Sequence, residues 1–219
     1  MAIEVVFLDI GGVLYRDERY ADALRRALIE LGAVFGGAEF DDAYAGCRRA
    51  QGGSFRERLA RRFLGPDTDI GELERHAAVW WHYTPEDLEP DALPALETLA
   101  RHYRLGLIAN QPSAVRRAMA RDGLDRFFLV GAVSEDLGLE KPDVRIFEHA
   151  VDAIGADASV CAMVGDRLDY DVRPARAAGM RAVWLLRGEA PDEPTPEQLA
   201  EADAAIRGLD ELPEVLARW

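Results

Sequence analysis

Cysteine is scarce in this 219-residue chain. Cys47 and Cys161 are too few for a disulfide framework, and the apolar run around Cys161 predicts a buried structural thiol. Positive charge is also short: 26 Lys and Arg against 40 Asp and Glu give a formal net charge of -14. So acidic a chain repels the phosphates of nucleic acid and of anionic membranes, which excludes both as partners. No apolar stretch approaches the roughly 18 residues of a membrane-spanning helix. The amino terminus carries Glu4 and then a strand-like run instead of a basic segment and a cleavage site, so no signal peptide is expected. There is no internal repeat. What remains is a composition of 49% hydrophobic and 30% charged residues, ordinary for a globular protein, and a cytoplasmic location is expected. The length suits one large domain, or a core domain with a smaller insertion.

Short apolar runs rich in β-branched and aromatic residues, each bounded by turn residues, predict strands at 3–8, 104–109, 127–133, 159–164, 180–186 and 204–206. Helical spacing fills most gaps between them, at about 91–102, 113–122, 143–154, 171–178 and 208–218. Strands that alternate with helices form parallel βαβ units, so the fold class is α/β with a doubly wound, Rossmann-like sheet. One interval breaks the alternation. From Asp17 to Tyr83 only helical patterns occur, at 18–31, 39–50, 54–63 and 70–82, punctuated by glycines and Pro66. A helical block between the first two strands reads as an inserted cap able to close over a site. The segment 189–196, Glu-Ala-Pro-Asp-Glu-Pro-Thr-Pro, reads as a surface loop.

Four residues stand at or just beyond the carboxyl ends of successive strands: Asp9, Asn110, Lys141 and Asp166. In a parallel sheet all four face one crevice. An acid at the end of so apolar a strand is costly unless it is paired or binds a metal. Mg2+ favours one or two carboxylates plus phosphate oxygens, a lysine offsets phosphate charge, and an aspartate can carry a phosphoryl group. Plainer readings exist for each residue. Asp9 and Asn110 could be turn residues, Asp166 and Asp171 helix caps (Asp169 competing with Asp171), and Lys141 a solvated loop cation.

Taken together, these motifs resemble the haloacid dehalogenase superfamily of aspartate-nucleophile hydrolases. Asp9-x-Gly11-Gly12-Val13 looks like its first motif, Asn110 closes the second, Lys141-Pro142-Asp143 looks like the third, and Val164-Gly165-Asp166 with Asp171 looks like the fourth. The resemblance implies an α/β core over residues 1–14 and 86–219, with a helical cap over 15–85. It further implies that Asp9 attacks phosphorus and shares Mg2+ with Asp166 and the backbone carbonyl of Gly11. Lys141 would hold the phosphate and orient Asp9, beside Gly11, Ala109 and Asn110 in the phosphate site, and Asp171 would support Lys141 or a metal-bound water. The implied substrate is a small phosphorylated metabolite, and the implied assembly a monomer or homodimer.

Two positions depart from that family's phosphatases. Gly11 stands where a second aspartate usually protonates the leaving alcohol and activates water, although Gly11 keeps the main-chain carbonyl. Ala109 replaces a Ser or Thr that usually binds phosphate. Loss of a general acid or base typically costs about 100- to 10,000-fold. Three readings follow: a slow or selective phosphatase whose substrate, such as an anomeric sugar phosphate, needs little acid assistance, or in which Tyr15, Asp17 or Glu18 supplies the proton instead; another hydrolase; or a binding module that keeps the fold. A phosphonate-cleaving enzyme needs a cap lysine, and 17–83 contains none; the acidic fourth motif argues against a metal-free dehalogenase. In the cap, Arg48, Arg49, Arg56, Arg58, Arg61 and Arg62 read first as a solvated face, or alternatively as a grip on a second anionic group. Trp80, Trp81 and Tyr83 read as cap-core packing rather than a stacking platform.

Overall fold

The computed structural model describes residues 2–219. Its first strand, β1 (Val5–Leu8), is buried at every residue. Four helices follow: α1 (Glu18–Glu30), α2 (Gly37–Ala50), α3 (Phe55–Phe63) and α4 (Ile70–Trp80). The chain then runs through α5 (Ala92–Leu99), β2 (Arg104–Ala109), α6 (Val115–Arg121), β3 (Phe128–Val133), α7 (Ser134–Leu137), α8 (Val144–Ile154) and β4 (Cys161–Gly165). A single π-helical turn at Leu168–Val172 leads into α9 (Arg173–Ala177), β5 (Arg181–Leu185), α10 (Pro196–Leu199), β6 (Ala204–Ile206) and α11 (Leu212–Leu216).

The six strands form one parallel sheet in the order β3-β2-β1-β4-β5-β6. Alternation along β1 divides its side chains between two cores. Val6 and Leu8 share one face with α5, α6 and α11, while Val5 and Phe7 pack on the other with α8 and α9. The sheet is therefore covered on both faces, which is why its strands read as nearly continuous apolar runs. The strand order reverses between β1 and β4, whose registers place Leu8 beside Val164. Ligands of open α/β sheets bind at such a switch point, beyond the carboxyl ends of the strands.

The four inserted helices bury a hydrophobic core of their own. Leu24 and Leu28 of α1 meet Phe40 of α2, Phe55 and Leu59 of α3 and Leu73 of α4. Two of these helices have side-chain caps: Ser54 Oγ accepts from the Glu57 N–H, and Asp69 Oδ1 from the Gly71 N–H. The chain leaves and rejoins the sheet along one ladder, where Arg16 N–H donates to Asp87 O and Glu89 N–H to Leu14 O.

Three expectations are corrected here. The segment 189–196 is not wholly a surface loop: Glu189, Ala190 and Pro191 are buried. The Arg48 guanidinium donates to Ala190 O, and the Gln51 amide to Glu189 O, so the inserted helices cover this stretch. The helix expected at 171–178 begins as the π-helical turn, whose extra residue accommodates the inward-facing Asp171. The helix expected over 208–218 shrinks to α11 behind a 3-10 turn, with Pro213 in its first turn.

Candidate active site

Asp9 follows β1 directly, and its N–H donates to Val164 O on β4, so the sheet ladder continues to the residue itself. Its Oδ1 accepts from the Ile10 N–H at 2.7 Å. Its Oδ2 lies 2.9 Å from Lys141 Nζ. Lys141 is the only lysine of the chain, and at 2% side-chain exposure it is not a solvated cation. The ammonium also donates to Asp171 Oδ1 at 2.5 Å. Burial alone would lower the Lys141 pKa, but the carboxylates of Asp171 and Asp9 outweigh it and hold the amine above its ordinary range. Asp9 moves the other way. Burial pushes its pKa up from 3.8 to about 6, against the pull of Lys141.

Asn110 sits just past β2, and both ends of its amide are engaged by the main chain of Lys141. The Lys141 N–H donates to Oδ1 at 2.7 Å, and Nδ2 donates to Lys141 O at 2.8 Å. Ala109 is fully buried at the end of β2 and does not line the cavity above the strands. Asp171 Oδ2 accepts from the Arg167 N–H, and a Cβ on Gly165 would stand 2.2 Å from Asp171 Cγ. Glycine at 165 is thus required by the carboxylate that faces Lys141.

Asp166 Oδ2 accepts from the Glu189 N–H at 2.6 Å, and its main-chain carbonyl accepts from Trp184 Nε1. Asp9, Asp166 and Asp171 each bring one oxygen within 4.8 Å of the others. A Cβ on Gly12, where φ is +66°, would stand 2.2 Å from Asp166 Oδ2, so both the backbone turn and the carboxylate demand glycine there. Asp17, at the start of α1, faces the same space. Burial, and after it the charge of neighbouring carboxylates, pushes Asp17 and Asp166 well above the usual carboxylate range. Among the carboxylates that line this pocket, Asp9, Asp17, Asp166, Asp171 and Glu189 gather near the strand ends, with the cations of Lys141, Arg167 and Arg56 beside them. Lys141 takes up Asp9 and Asp171, Arg167 takes up Glu189 and Arg56 pairs with Glu74, so Asp17 and Asp166 face each other without a cation. This all-oxygen donor set fits a hard divalent ion.

The cavity holds ≈ 450 Å³ between the sheet ends and the inserted helices, within the range of small-molecule sites. Asp9, Gly11, Asn110, Lys141, Asp166 and Asp171 all line it. Of the six arginines between 48 and 62, Arg56 alone lines the cavity, paired with Glu74 at 2.6 Å. Arg48 instead holds the 190–192 segment. Trp81 also lines the cavity, whereas Tyr83 stacks on Tyr15 with ring centroids 4.5 Å apart.

Sequence reasoning missed several residues. The Arg167 guanidinium lies over the rings of Phe55 and Tyr170 and pairs with Asp169 and Glu189; Nη2 also donates to Gly53 O. Gln51, in a left-handed conformation at φ 44°, sends Oε1 to the Leu168 N–H and Nε2 to Glu189 O. Arg167 follows Asp166 in the fourth motif and was legible by position. Gln51 and Glu189 carry no signal, because only the closure of helices onto core gives them partners.

Carboxylates and a buried lysine gathered at the switch point of a parallel sheet, under a helical roof, make this an α/β hydrolase with an aspartate at its centre. A family model for haloacid dehalogenase-like hydrolases matches residues 3–179, and the chain belongs to that family. It is 31% identical over 204 residues to a glyceraldehyde 3-phosphate phosphatase of Methanopyrus kandleri, covering 87% of each chain. It is 37% identical over 149 residues to a phosphoserine phosphatase of Thermus thermophilus, covering 66% of this chain and 60% of that protein. Among solved structures, a 2-haloacid dehalogenase from Pseudomonas syringae superposes with a TM-score of 0.64 at 28% identity, covering 99% of both chains. The relatives that carry the higher identity are phosphatases, and the chain is a phosphohydrolase of this family.

Proposed function

We propose that the protein hydrolyses small phosphate monoesters with Mg2+, through a phosphoryl group carried on Asp9, under a cap formed by residues 15–85. The observation that carries this reading is the Lys141 ammonium held between Asp9 and Asp171. Asp9 Oδ2 and Lys141 Nζ face the cavity together, so an anionic phosphoryl group that enters meets both a nucleophile and a compensating cation. Asn110 fixes the Lys141 main chain, and Asp171 fixes its ammonium, so the cation costs little reorganisation when substrate binds.

Asp9, Asp166 and the carbonyl of Gly11 would hold Mg2+, which when bound offsets charge on the phosphoryl oxygens. Asp9 attacks phosphorus and the ester bond to the leaving alcohol breaks. Water then hydrolyses the acyl phosphate, which frees inorganic phosphate and restores Asp9. The retained Asp166 argues against the metal-free dehalogenase reading, since a buried carboxylate without a cation has no use there. The relatives named above act on glyceraldehyde 3-phosphate and phosphoserine, and the cavity has room for esters of that size.

The test incubates the protein with Mg2+ and a panel of esters, including p-nitrophenyl phosphate, glyceraldehyde 3-phosphate, phosphoserine and sugar phosphates, beside the Asp9→Asn variant. Phosphate released by the parent alone supports the reading. Absence of release, with Mg2+-dependent ligand binding intact, identifies a binding module instead.

A further inference from the structure

We propose that the substrate carries a second anionic group, a phosphate or a carboxylate, and that a side compartment at Arg117 and His82 receives it. This inference rests on the hydrolytic reading above and narrows its substrate class. A second cavity of ≈ 310 Å³ opens beside the first, and Trp81, Gln111, Pro112 and Ala114 line both. Both walls are continuous in sequence. The segment after β2 lines the first cavity between Asn110 and Ala114, and the second from Gln111 into α6 as far as Arg121. Opposite it, Trp81 lines both cavities, and the next two residues, His82 and Tyr83, line only the second. Two hydrogen bonds tie these walls together: Gln111 Nε2 donates to the Tyr83 hydroxyl at 3.1 Å, and Arg121 Nη1 to Tyr83 O at 3.0 Å. The compartment is therefore braced on both sides.

Charge sets the two cavities apart. The first is crowded with carboxylates, and its two arginines are committed, Arg56 to Glu74 and Arg167 to Asp169 and Glu189. No Asp or Glu lines the second, whose basic groups are Arg117, Arg121 and His82. Asp122 holds Arg121 at 2.6 Å. The Arg117 guanidinium and the His82 imidazole have no hydrogen-bond or carboxylate partner among the described residues. In a chain of formal net charge -14, a cavity lined by basic groups and free of acids favours an anion.

The planar guanidinium matches the oxygens of either phosphate or carboxylate in pairs. Between Arg117 and the first cavity the lining is largely apolar, with Trp81, Pro112 and Val115, and suits the carbon chain that joins two anionic ends. The shared wall makes the occupant the remote end of the substrate rather than a separate molecule. The grip on a second anion expected among the arginines between 48 and 62 is therefore displaced. Only Arg56 reaches the first cavity, and Glu74 neutralises it, whereas Arg117 on α6 is free to take the role.

The test pairs esters that differ in the remote group. Fructose 1,6-bisphosphate against fructose 1-phosphate probes a second phosphate, and 3-phosphoglycerate against glycerol 3-phosphate probes a carboxylate. In the parent, kcat/KM is expected to favour the doubly anionic member of at least one pair, and the pair concerned tells phosphate from carboxylate. Arg117→Gln should lower that preference by about 10- to 100-fold, as expected when a charged hydrogen-bond partner is lost, and through KM rather than kcat. Arg117→Lys keeps the charge without the fork and should retain part of the preference. Arg117 is exposed, so both variants are expected to fold, which a thermal melt checks. Calorimetry on Asp9→Asn, with and without Arg117→Gln, should show the same loss of affinity for the doubly anionic esters without turnover. If the parent releases no phosphate, the hydrolytic reading fails while calorimetry still tests the compartment. Equal effects of Arg117→Gln on both members of each pair, or no preference in the parent, overturns the proposal. So does noncompetitive inhibition of p-nitrophenyl phosphate hydrolysis by the doubly anionic esters, which would mark a separate effector site.

Discussion

Lys141 shows how one residue can be over-determined. Its ammonium touches Asp9 and Asp171, and its main chain is clamped by both ends of the Asn110 amide. Removing the clamp leaves the charge but frees its position. Asn110→Ala is therefore expected to lower kcat by about 10- to 100-fold, since slight misplacement of a reacting group has costs of that order. Mg2+ affinity should stay unchanged. Steady-state kinetics beside calorimetry check this, and an unchanged kcat would assign Asn110 to the turn alone. Lys141→Met has a larger expected effect, because it leaves Asp9 and Asp171 buried without a cation. Loss of phosphate release together with a lower melting temperature is the expected outcome. The sequence made Asp9 and Asp166 legible because each directly follows an apolar strand, whereas Lys141, beyond α7, was legible from its Lys-Pro-Asp motif. It left Tyr15, Asp17 and Glu18 undistinguished, because only the fold turns the Tyr15 hydroxyl toward Asp122 and leaves Glu18 exposed.

At the scale of elements, the parallel strands and the four inserted helices were readable from periodicity. The boundaries between them were less so. Residues 189–191 look like the start of a Pro-rich loop, yet they are buried because α2 and the turn after it reach across to them. Gln51 is the hinge of that contact. Its side chain satisfies the Leu168 N–H and the Glu189 carbonyl, at a position where its own φ is 44°. Gln51→Ala would leave both groups unpaired, at a cost of about 1–3 kcal/mol each. A thermal melt should show a fall of several degrees. Gln51→Gly relieves the backbone strain but not the lost bonds, so it should melt between the parent and Gln51→Ala. Equal melting of all three proteins would mean that the helices do not close on the core through this residue in solution.

The whole molecule is shaped by negative charge, with a formal net charge of -14 and several carboxylates gathered in one pocket. Asp9, Asp17 and Asp166 have pKa values raised above their unfolded ones, Asp9 from 3.8 to about 6. A folded state that binds protons more tightly than the unfolded chain loses stability as pH rises through that window. The metal-free protein is thus expected to melt at a lower temperature at pH 7.5 than at pH 5.5. Mg2+ should raise the melting temperature more at pH 7.5, where the carboxylates it joins are ionised. A melting temperature indifferent to Mg2+ at both pH values would remove the cation from the account. The fold places these acids at the strand-order reversal between β1 and β4, and the central claim is that one of them, Asp9, takes the phosphoryl group. Rapid acid quench of the parent with Mg2+ and a phosphate ester, followed by peptide mapping, tests it most directly. A transient phosphoryl group on Asp9, absent from Asp9→Asn, is the predicted result. Phosphate released by Asp9→Asn at the parent's rate would contradict it.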